Sequence, residues 1–216
     1  ILANYFHQHA PFAIKALEAG RHVMSETTAC YTLAEGVALV RAVEKSGLTY
    51  MFAENYPYML FNQEMRRLYQ SGEIGEVRFC EGEYIHPGPS DWSNSLSPGM
   101  NHWRNWLPST YYCTHGLGPL MYVTDTMPVS VSAQSIPYPK DFRRQRMTTR
   151  RQDMAAVIVC RMDNGALATV NGIGLQGEGN WYRFHGTHGL MENCREYGRH
   201  GCVRVVHERW DMEEGQ

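Results

Sequence analysis

The spacing of apolar residues changes once along this chain, near residue 75, and this change constrains the fold more than any other feature of the sequence. Before it, stretches with helical spacing alternate with short apolar stretches that are typical of strands. Alternation of strand and helix predicts a parallel sheet with right-handed crossovers. The predicted elements here are helices over residues 11–19, 32–47 and 60–72 and strands over 22–25 and 49–53.

The second of these helices has the clearest end signals. Thr32 is followed three residues later by Glu35, which is the spacing of a capping box, and Gly47 is placed as the C-terminal stop.

After residue 75 the pattern becomes the alternation of apolar and polar residues that half-buried strands show. Asn164-Gly165 predicts a two-residue hairpin turn between two of these strands. The second part is therefore predicted to be a mostly antiparallel sheet with one face left open. Its strands are predicted over residues 76–86, 129–138, 153–162, 165–175, 181–187 and 201–208.

Composition narrows the class of protein. The net charge is −2, so no nucleic-acid surface is predicted, and no apolar run approaches the length of a membrane span. Six cysteines without a CxxC pair argue against a zinc ribbon and against a disulfide framework, which favours a cytoplasmic location. The histidines at 86, 102 and 115 lack tight ligand spacing, so no metal site is predicted. We expect a small-molecule partner.

A long aromatic segment, residues 87–114, interrupts the strands: "PGPSDWSNSLSPGMNHWRNWLPSTYYCT". Loops of this length inside a compact domain are usually functional or disordered, and its tryptophans and tyrosines argue against disorder. His115 follows directly, so we expect it at the end of a loop that faces the first region.

Four pieces in a fixed order carry a resemblance to a known family. They are "NYFHQHAPFAIKALEAGRHVMSE", "AENYPYMLFNQEMRRLYQSGEIGEVRFCEGEYIH", "CTHGLGPLMYV" and the run of antiparallel strands. In this order they resemble the glucose-fructose oxidoreductase and inositol dehydrogenase (Gfo/Idh/MocA) superfamily of NAD(P)-dependent proteins, across essentially the whole chain.

The resemblance implies a two-domain architecture. Residues 1–73 would be the C-terminal portion of an α/β Rossmann domain that binds NAD or NADP. Residues 74–216 would be an α+β domain with a mostly antiparallel, open-faced sheet for substrate binding and oligomerisation, truncated at its C-terminus. The family's Gly-rich dinucleotide turn is absent, so we expect the chain to be a fragment without about three strand-helix units of about thirty residues each.

The resemblance also implies site residues. In ordinary members the loop after "HV" carries Glu-Lys-Pro, whose lysine takes part in proton transfer. Here Glu26 matches, but Thr27 stands in place of the lysine, and threonine is no general base near neutral pH. The expected replacement is His115. The expected cofactor contacts are Asn4, His7, Glu26 and Glu54.

The sequence Thr-His-Gly-Leu-Gly-Pro around His115 resembles that of one branch of the superfamily, the NAD-dependent glycoside hydrolases of the alpha-N-acetylgalactosaminidase type. In that branch the sugar is oxidised transiently, the aglycone leaves by elimination, water adds and the hydride returns. Matched to it, Tyr84 and Tyr112 join His115 as catalytic residues, with Arg104 and Trp103 as sugar contacts.

Three functions stay open from the sequence. The first is hydride transfer at a sugar or polyol carbon by an NAD(P)-dependent oxidoreductase. The second is glycoside hydrolysis with tightly bound NAD that is not consumed. The third, from another class, is a non-catalytic sugar- or nucleotide-binding protein that kept the fold after losing the lysine. Because His115, Tyr84 and Tyr112 are all present, we favour an enzyme, and we expect a homo-oligomer that associates through the open sheet face.

Overall fold

The computed structural model describes residues 1–86, 95–96, 102–105, 108–137, 153–174, 179–195 and 201–208, and the fold is given for these ranges. Most of the long aromatic segment therefore lies outside the described residues. Within the described part, no helix has both the length and the apolar character needed to cross a membrane.

Residues 1–54 form the predicted strand–helix alternation. Two short strands, β1 (Val23–Ser25) and β2 (Tyr50–Phe52), pair in parallel. Helix α1 (His9–Glu18) precedes β1, and α2 (Leu33–Ser46) connects the two strands. Ala10, Ala13, Leu17, Val23 and Leu39 form the small core between them.

Helix α2 begins and ends with the capping interactions that the sequence predicts. The Thr32 side chain accepts a hydrogen bond from the backbone N–H of Glu35 at 3.2 Å, and the Glu35 carboxylate accepts one from the Thr32 N–H at 3.1 Å. Gly47 ends the helix with φ +63°, a left-handed conformation that glycine adopts without steric cost. The capping box and the terminal glycine are therefore confirmed.

The rest of the chain builds a seven-stranded sheet in the order β4-β5-β6-β3-β7-β8-β9. Its neighbours pair in antiparallel fashion except β3 and β6, which are parallel, so the prediction of a mostly antiparallel sheet is confirmed. The strands are β3 (Val77–Ile85), β4 (Pro128–Pro137), β5 (Asp153–Met162), β6 (Leu167–Ile173), β7 (Trp181–Gly186), β8 (Gly189–Asn193) and β9 (Val203–His207).

Two helices, α3 (Leu60–Gln70) and α4 (Thr114–Thr124), cover one face of the sheet. Met65 of α3 and Leu120 of α4 are fully buried against strand residues such as Val170. The approach is close: a Cβ on Gly116 would lie 2.6 Å from Cγ1 of Val170. Glycine at this position therefore lets the backbone of α4 rest directly on the sheet.

The structure corrects three predictions. His115 lies in the first turn of α4 and not at the end of a loop, and the sequence pattern missed this helix because Gly116, Gly118 and Pro119 read as helix breakers. Strand β8 was missed as well. The turn at Asn164-Gly165 has three residues instead of two, since Met162 pairs with Ala166 and Gly165 takes the left-handed conformation at φ +82°.

Candidate active site

The candidate site lies where the carboxyl ends of β1 and β2 meet the start of α4. The backbone N–H of Ala53 donates to the Ser25 carbonyl at 2.8 Å, which holds the two strand ends side by side. The loop that begins at Glu26 and the acid Glu54 therefore leave the sheet at the same edge. Ligands of open α/β sheets bind outside this edge.

Glu54 and His115 form the central contact of the site. Oε1 of Glu54 lies 2.5 Å from Nδ1 of His115, and each residue is 8% exposed. The same carboxylate oxygen accepts the backbone N–H of Tyr56 at 3.2 Å, which fixes its position. Because the carboxylate accepts from Nδ1, the imidazole nitrogen left to exchange a proton is Nε2.

Three tyrosines surround the imidazole of His115. The Tyr56 ring stacks on it, with centroids 4.1 Å apart and planes 20° apart. The Tyr84 ring meets it edge-on at 4.8 Å, and the Tyr112 ring lies 5.6 Å away. Burial raises the pKa of the Tyr84 phenol well above its usual value, with neighbouring Tyr56 a smaller cause. Tyr84 is therefore a protonated hydrogen-bond donor near neutral pH.

Tyr182 fixes the backbone that carries His115. Its hydroxyl donates to the His115 carbonyl oxygen at 2.6 Å, and the residue is fully buried. Its own backbone N–H donates to Oδ1 of Asn193 at 2.7 Å. The role of this residue is not evident from the sequence, because a tyrosine in an alternating strand is typical of ordinary core. The signal that could have singled it out is a hydroxyl at a core position, since buried tyrosines usually need a hydrogen-bond partner.

Two polar atoms beside the Glu54–His115 contact have capacity for a further partner. Oε2 of Glu54 and Oγ1 of Thr114 are buried and make no hydrogen bond to any of the described residues. A buried carboxylate oxygen without a donor is costly, and such atoms in native proteins call for an explanation such as a bound group. Among the described residues, no group of three or more histidine, cysteine or acidic side chains is arranged to hold a metal ion.

The two predicted sugar contacts lie next to Tyr112. Nη1 of Arg104 donates to the Tyr112 hydroxyl at 3.3 Å, and the Arg104 guanidinium stands 4.5 Å from the centroid of the Trp103 ring. Trp103 is buried against Phe6, with ring centroids 5.3 Å apart. The structure thus brings Arg104 and Trp103 together with Tyr112.

The predicted cofactor residues fall into two groups. Glu54 contacts His115, as described. Asn4 and His7 precede α1, with His7 in the short 3₁₀ helix Phe6–Gln8, and Glu26 lies in the loop after β1. The buried ring of His9 joins these segments, with its nitrogens 3.0 Å from the Asn4 carbonyl oxygen and 2.7 Å from that of Thr28. Glu26 itself is exposed.

A family model supplies the decisive comparison. Residues 62–192 match the GFO/IDH/MocA C-terminal domain, which is more than half of the chain. The chain belongs to the GFO/IDH/MocA family. The match spans most of α3, all of α4 and strands β3 to β7, and most of β8, so this family's domain supplies His115, Tyr84 and Tyr182.

Curated relatives of this GFO/IDH/MocA chain are glycosidases. This chain is 34% identical over 131 residues to "Glycosyl hydrolase family 109 protein 1" of Bacteroides fragilis. The aligned residues make up 57% of this chain and 27% of the relative. The chain is 35% identical over 121 residues to an "Alpha-N-acetylgalactosaminidase" of the same species, covering 53% and 28%. The matched stretch is about a quarter of the length of these relatives.

Solved structures of the same fold are dehydrogenases. The WlbA dehydrogenase from Bordetella pertussis, in complex with NADH and UDP-GlcNAcA, matches 97% of this chain and 59% of its own, with a TM-score of 0.73 and 17% identity. An inositol dehydrogenase homolog from Azotobacter vinelandii, complexed with NAD+, matches 95% and 55%, with a TM-score of 0.72 and 18% identity. The predicted fold class, an α/β region of the Rossmann type followed by an α+β domain with a mostly antiparallel sheet, is confirmed.

Proposed function

We propose that this protein transfers a hydride between NAD and a carbon of a sugar or polyol, and that His115 is the base that takes up the hydroxyl proton. The observation that carries the proposal is the 2.5 Å contact between Glu54 and His115, which joins a carboxylate at the edge of the α/β region to an imidazole of the GFO/IDH/MocA domain. A neutral imidazole is matched to proton transfer near neutral pH.

Each neighbour of the imidazole has a part in this proposal. Glu54 holds the Nδ1 proton, so Nε2 receives the proton of the substrate hydroxyl. Tyr84 and Tyr112 offer phenol groups beside the ring, and burial, which raises the pKa of Tyr84, further disfavours its phenolate form. The stacked ring of Tyr56 keeps bulk water from one face of His115.

The residues at the strand ends fit a nicotinamide dinucleotide. The buried Oε2 of Glu54, which no described residue satisfies, can accept a hydrogen bond from a bound amide or ribose group. The segments that contain Asn4, His7 and Glu26 would extend the cofactor site along the same edge. When bound, the dinucleotide accepts the hydride and can return it. We favour NAD over NADP because the neighbours named above were solved with NADH and NAD+.

A second candidate function is redox-assisted glycoside hydrolysis. It is favoured by curated relatives whose names are glycosyl hydrolase and alpha-N-acetylgalactosaminidase, at 34% and 35% identity. The lack of the usual lysine at position 27 fits the same branch, whose loop carries valine-proline where this chain has Thr27-Thr28. In this version His115 gives the proton back when the hydride returns, Tyr112 assists at the neighbouring C–H, and Tyr84, as a protonated donor, assists at the leaving group.

We further propose self-association through the uncovered face of the sheet, in a cytoplasmic protein. Val157 of β5 and Leu167 of the neighbouring β6 lie on this face and are 50% and 38% exposed. Apolar side chains gathered on an open sheet face are usually covered by a partner. We also propose that the two domains meet at residue 73, with nucleotide binding in residues 1–73 and substrate binding in residues 74–216.

To test the two candidate functions, the full-length protein is assayed with dehydrogenase substrates and with a glycosidase substrate. Sugars and polyols are added with NAD while nicotinamide reduction is followed, and an aryl alpha-N-acetylgalactosaminide is added while aglycone release is followed. Accumulation of reduced nicotinamide supports the dehydrogenase, and aglycone release at a constant redox state of the bound nicotinamide supports the glycosidase. Nicotinamide binding with neither reaction would contradict an enzyme and favour a binding protein.

A further inference from the structure

The β8–β9 hairpin ends on two opposed cysteines. The register of these strands pairs Asn193 with Val203, and the next pair outward is Cys194 with Cys202. The backbone N–H of Cys194 donates to the Cys202 carbonyl at 2.9 Å, so the antiparallel pairing extends to them. Residues directly opposite in an antiparallel pair place their side chains on the same face of the sheet.

This placement is within reach of a disulfide. Opposed residues that share a backbone hydrogen bond have Cα atoms about 5.5 Å apart, and disulfides span Cα separations of about 4.4–6.8 Å. Their Cβ atoms must come somewhat closer than in an undistorted pair, so closure needs a small local twist. A disulfide formed with such a twist is strained and therefore readily reduced.

The other cysteines provide the contrast. Cys80 and Cys160 both align with Ala168 but from opposite sides, so two strand spacings, about 9–10 Å, separate them. That is beyond the span of a disulfide. Cys80 is buried, and burial raises the pKa of its thiol to about 12. Cys202 is exposed and Cys194 is half-buried, so a small oxidant can reach this pair.

We propose that Cys194 and Cys202 form a reversible intramolecular disulfide by exchange with a small-molecule disulfide such as oxidised glutathione. The Cys202 thiolate attacks one sulfur of the small disulfide, forms a mixed disulfide and releases one small thiol. The Cys194 thiolate then attacks the Cys202 sulfur and releases the second. The two protein thiols are oxidised to one disulfide, the small disulfide is reduced to two thiols, and the two thiol protons end on these products.

The cross-link acts on the open face of the sheet. Arg195, next to Cys194, makes an ion pair with Glu83 of β3 at 2.7 Å, and its guanidinium lies 4.1 Å from the centroid of the Trp181 ring of β7. Tying Cys194 to Cys202 holds the end of β8, and with it Arg195, against these strands. This inference concerns a modification site outside the proposed active site and does not depend on the proposed function.

The test uses the reduced full-length protein treated with oxidised glutathione, then alkylation of free thiols and peptide mapping under non-reducing conditions. We expect one internal Cys194–Cys202 linkage, reversed by a dithiol. In hydrogen exchange, backbone amides of β9 should open about tenfold more slowly in the oxidised protein. The Cys194→Ser variant should stop at a stable mixed disulfide on Cys202, and Cys202→Ser should form no cross-link.

Cys30→Ser is the matched control, because Cys30 is half-buried in the other region of the chain, and it should leave the linkage unchanged. Both serine variants at the hairpin should melt like the parent under reducing conditions. A mixed disulfide on Cys202 that persists with Cys194 intact, or a linkage between two chains in place of the internal one, would overturn the proposal.

Discussion

The β1–β2 region (residues 1–54) and the sheet region (residues 60–208, as far as described) bury their apolar side chains to different extents. In α2 the buried residue is Leu39, whereas Val37 and Val40 are 43% and 56% exposed. In the sheet region Tyr182 and Phe184 are fully inaccessible to solvent. The sheet region therefore has a large core, whereas the β1–β2 region has a small core of its own.

The candidate site spans this difference. Glu54 belongs to the weakly buried region and His115 to the well-buried one. The contact between them, together with the packing of Phe6 on Trp103, ties the two regions together. In the proposed function, the well-buried region would position the base and the less buried edge would hold the cofactor, which suits a site that must bind and release its ligands.

The largest expected effect comes from the base itself. His115→Asn in the full-length protein should lower kcat by about 10²- to 10⁴-fold, because the substrate hydroxyl loses its proton acceptor. Nicotinamide binding, which we propose depends on the β1–β2 region, should stay nearly unchanged. Thr27→Ala is the matched control and should cost little in steady-state kinetics. If Thr27→Ala proves the more damaging change, the proton carrier belongs to the β1–β2 region after all.

Core truncations compare the two regions directly. Phe184→Ala should lower the free energy of unfolding by about 3–5 kcal/mol, because a fully buried ring leaves a cavity in the sheet core. Leu39→Ala should cost about 2 kcal/mol, at the lower end of such changes, because its surroundings are half-exposed and can relax. Urea denaturation measures both values. Equal costs would show that the β1–β2 region is as firmly packed as the sheet.

The two regions also differ in how well the sequence predicts them. The β1–β2 region follows local signals, and Thr32, Glu35 and Gly47 mark the ends of α2 where predicted. Most of the sheet strands follow from alternation. Helix α4 could not be predicted in this way, because Gly116 is needed for close contact with Val170 and that requirement appears only in the tertiary structure.

For the site, the sequence supplied residues but not their arrangement. The resemblance named Glu54 and His115 separately, and their 2.5 Å contact emerges from the fold. The role of Tyr182 could not be predicted from the sequence, because it depends on one hydrogen bond to a backbone carbonyl 67 residues away.

A smaller effect is expected from Tyr182, which supports the site from the sheet side. Tyr182→Phe removes the hydrogen bond to the His115 carbonyl but keeps the ring, so stability should fall by about 1 kcal/mol. We expect kcat to fall about tenfold, with little change in KM for the sugar, because the imidazole is less well oriented. Tyr58→Phe, at an exposed ring, should change neither quantity. An unchanged kcat with lowered stability would make Tyr182 purely structural.

The smallest effect tests the β1–β2 region alone. Thr32→Ala removes the capping box of α2 and should cost about 1 kcal/mol, measured by urea denaturation. Thr49→Ala, at an exposed position before β2, serves as the control and should cost less than half as much. If Thr32→Ala lowers the free energy of unfolding no more than the control does, α2 is stabilised by packing and not by its N-terminal capping box.

The central claim is that Glu54 and His115 act as one unit across the two regions, and a double-mutant cycle on single-turnover hydride transfer tests it most directly. Glu54→Gln alone should slow the transfer about tenfold to a hundredfold, since the imidazole loses its orienting carboxylate. Combined with His115→Asn, it should add almost nothing to the loss caused by His115→Asn, because residues that act as a unit are not additive. Losses that multiply in the double variant would contradict the account.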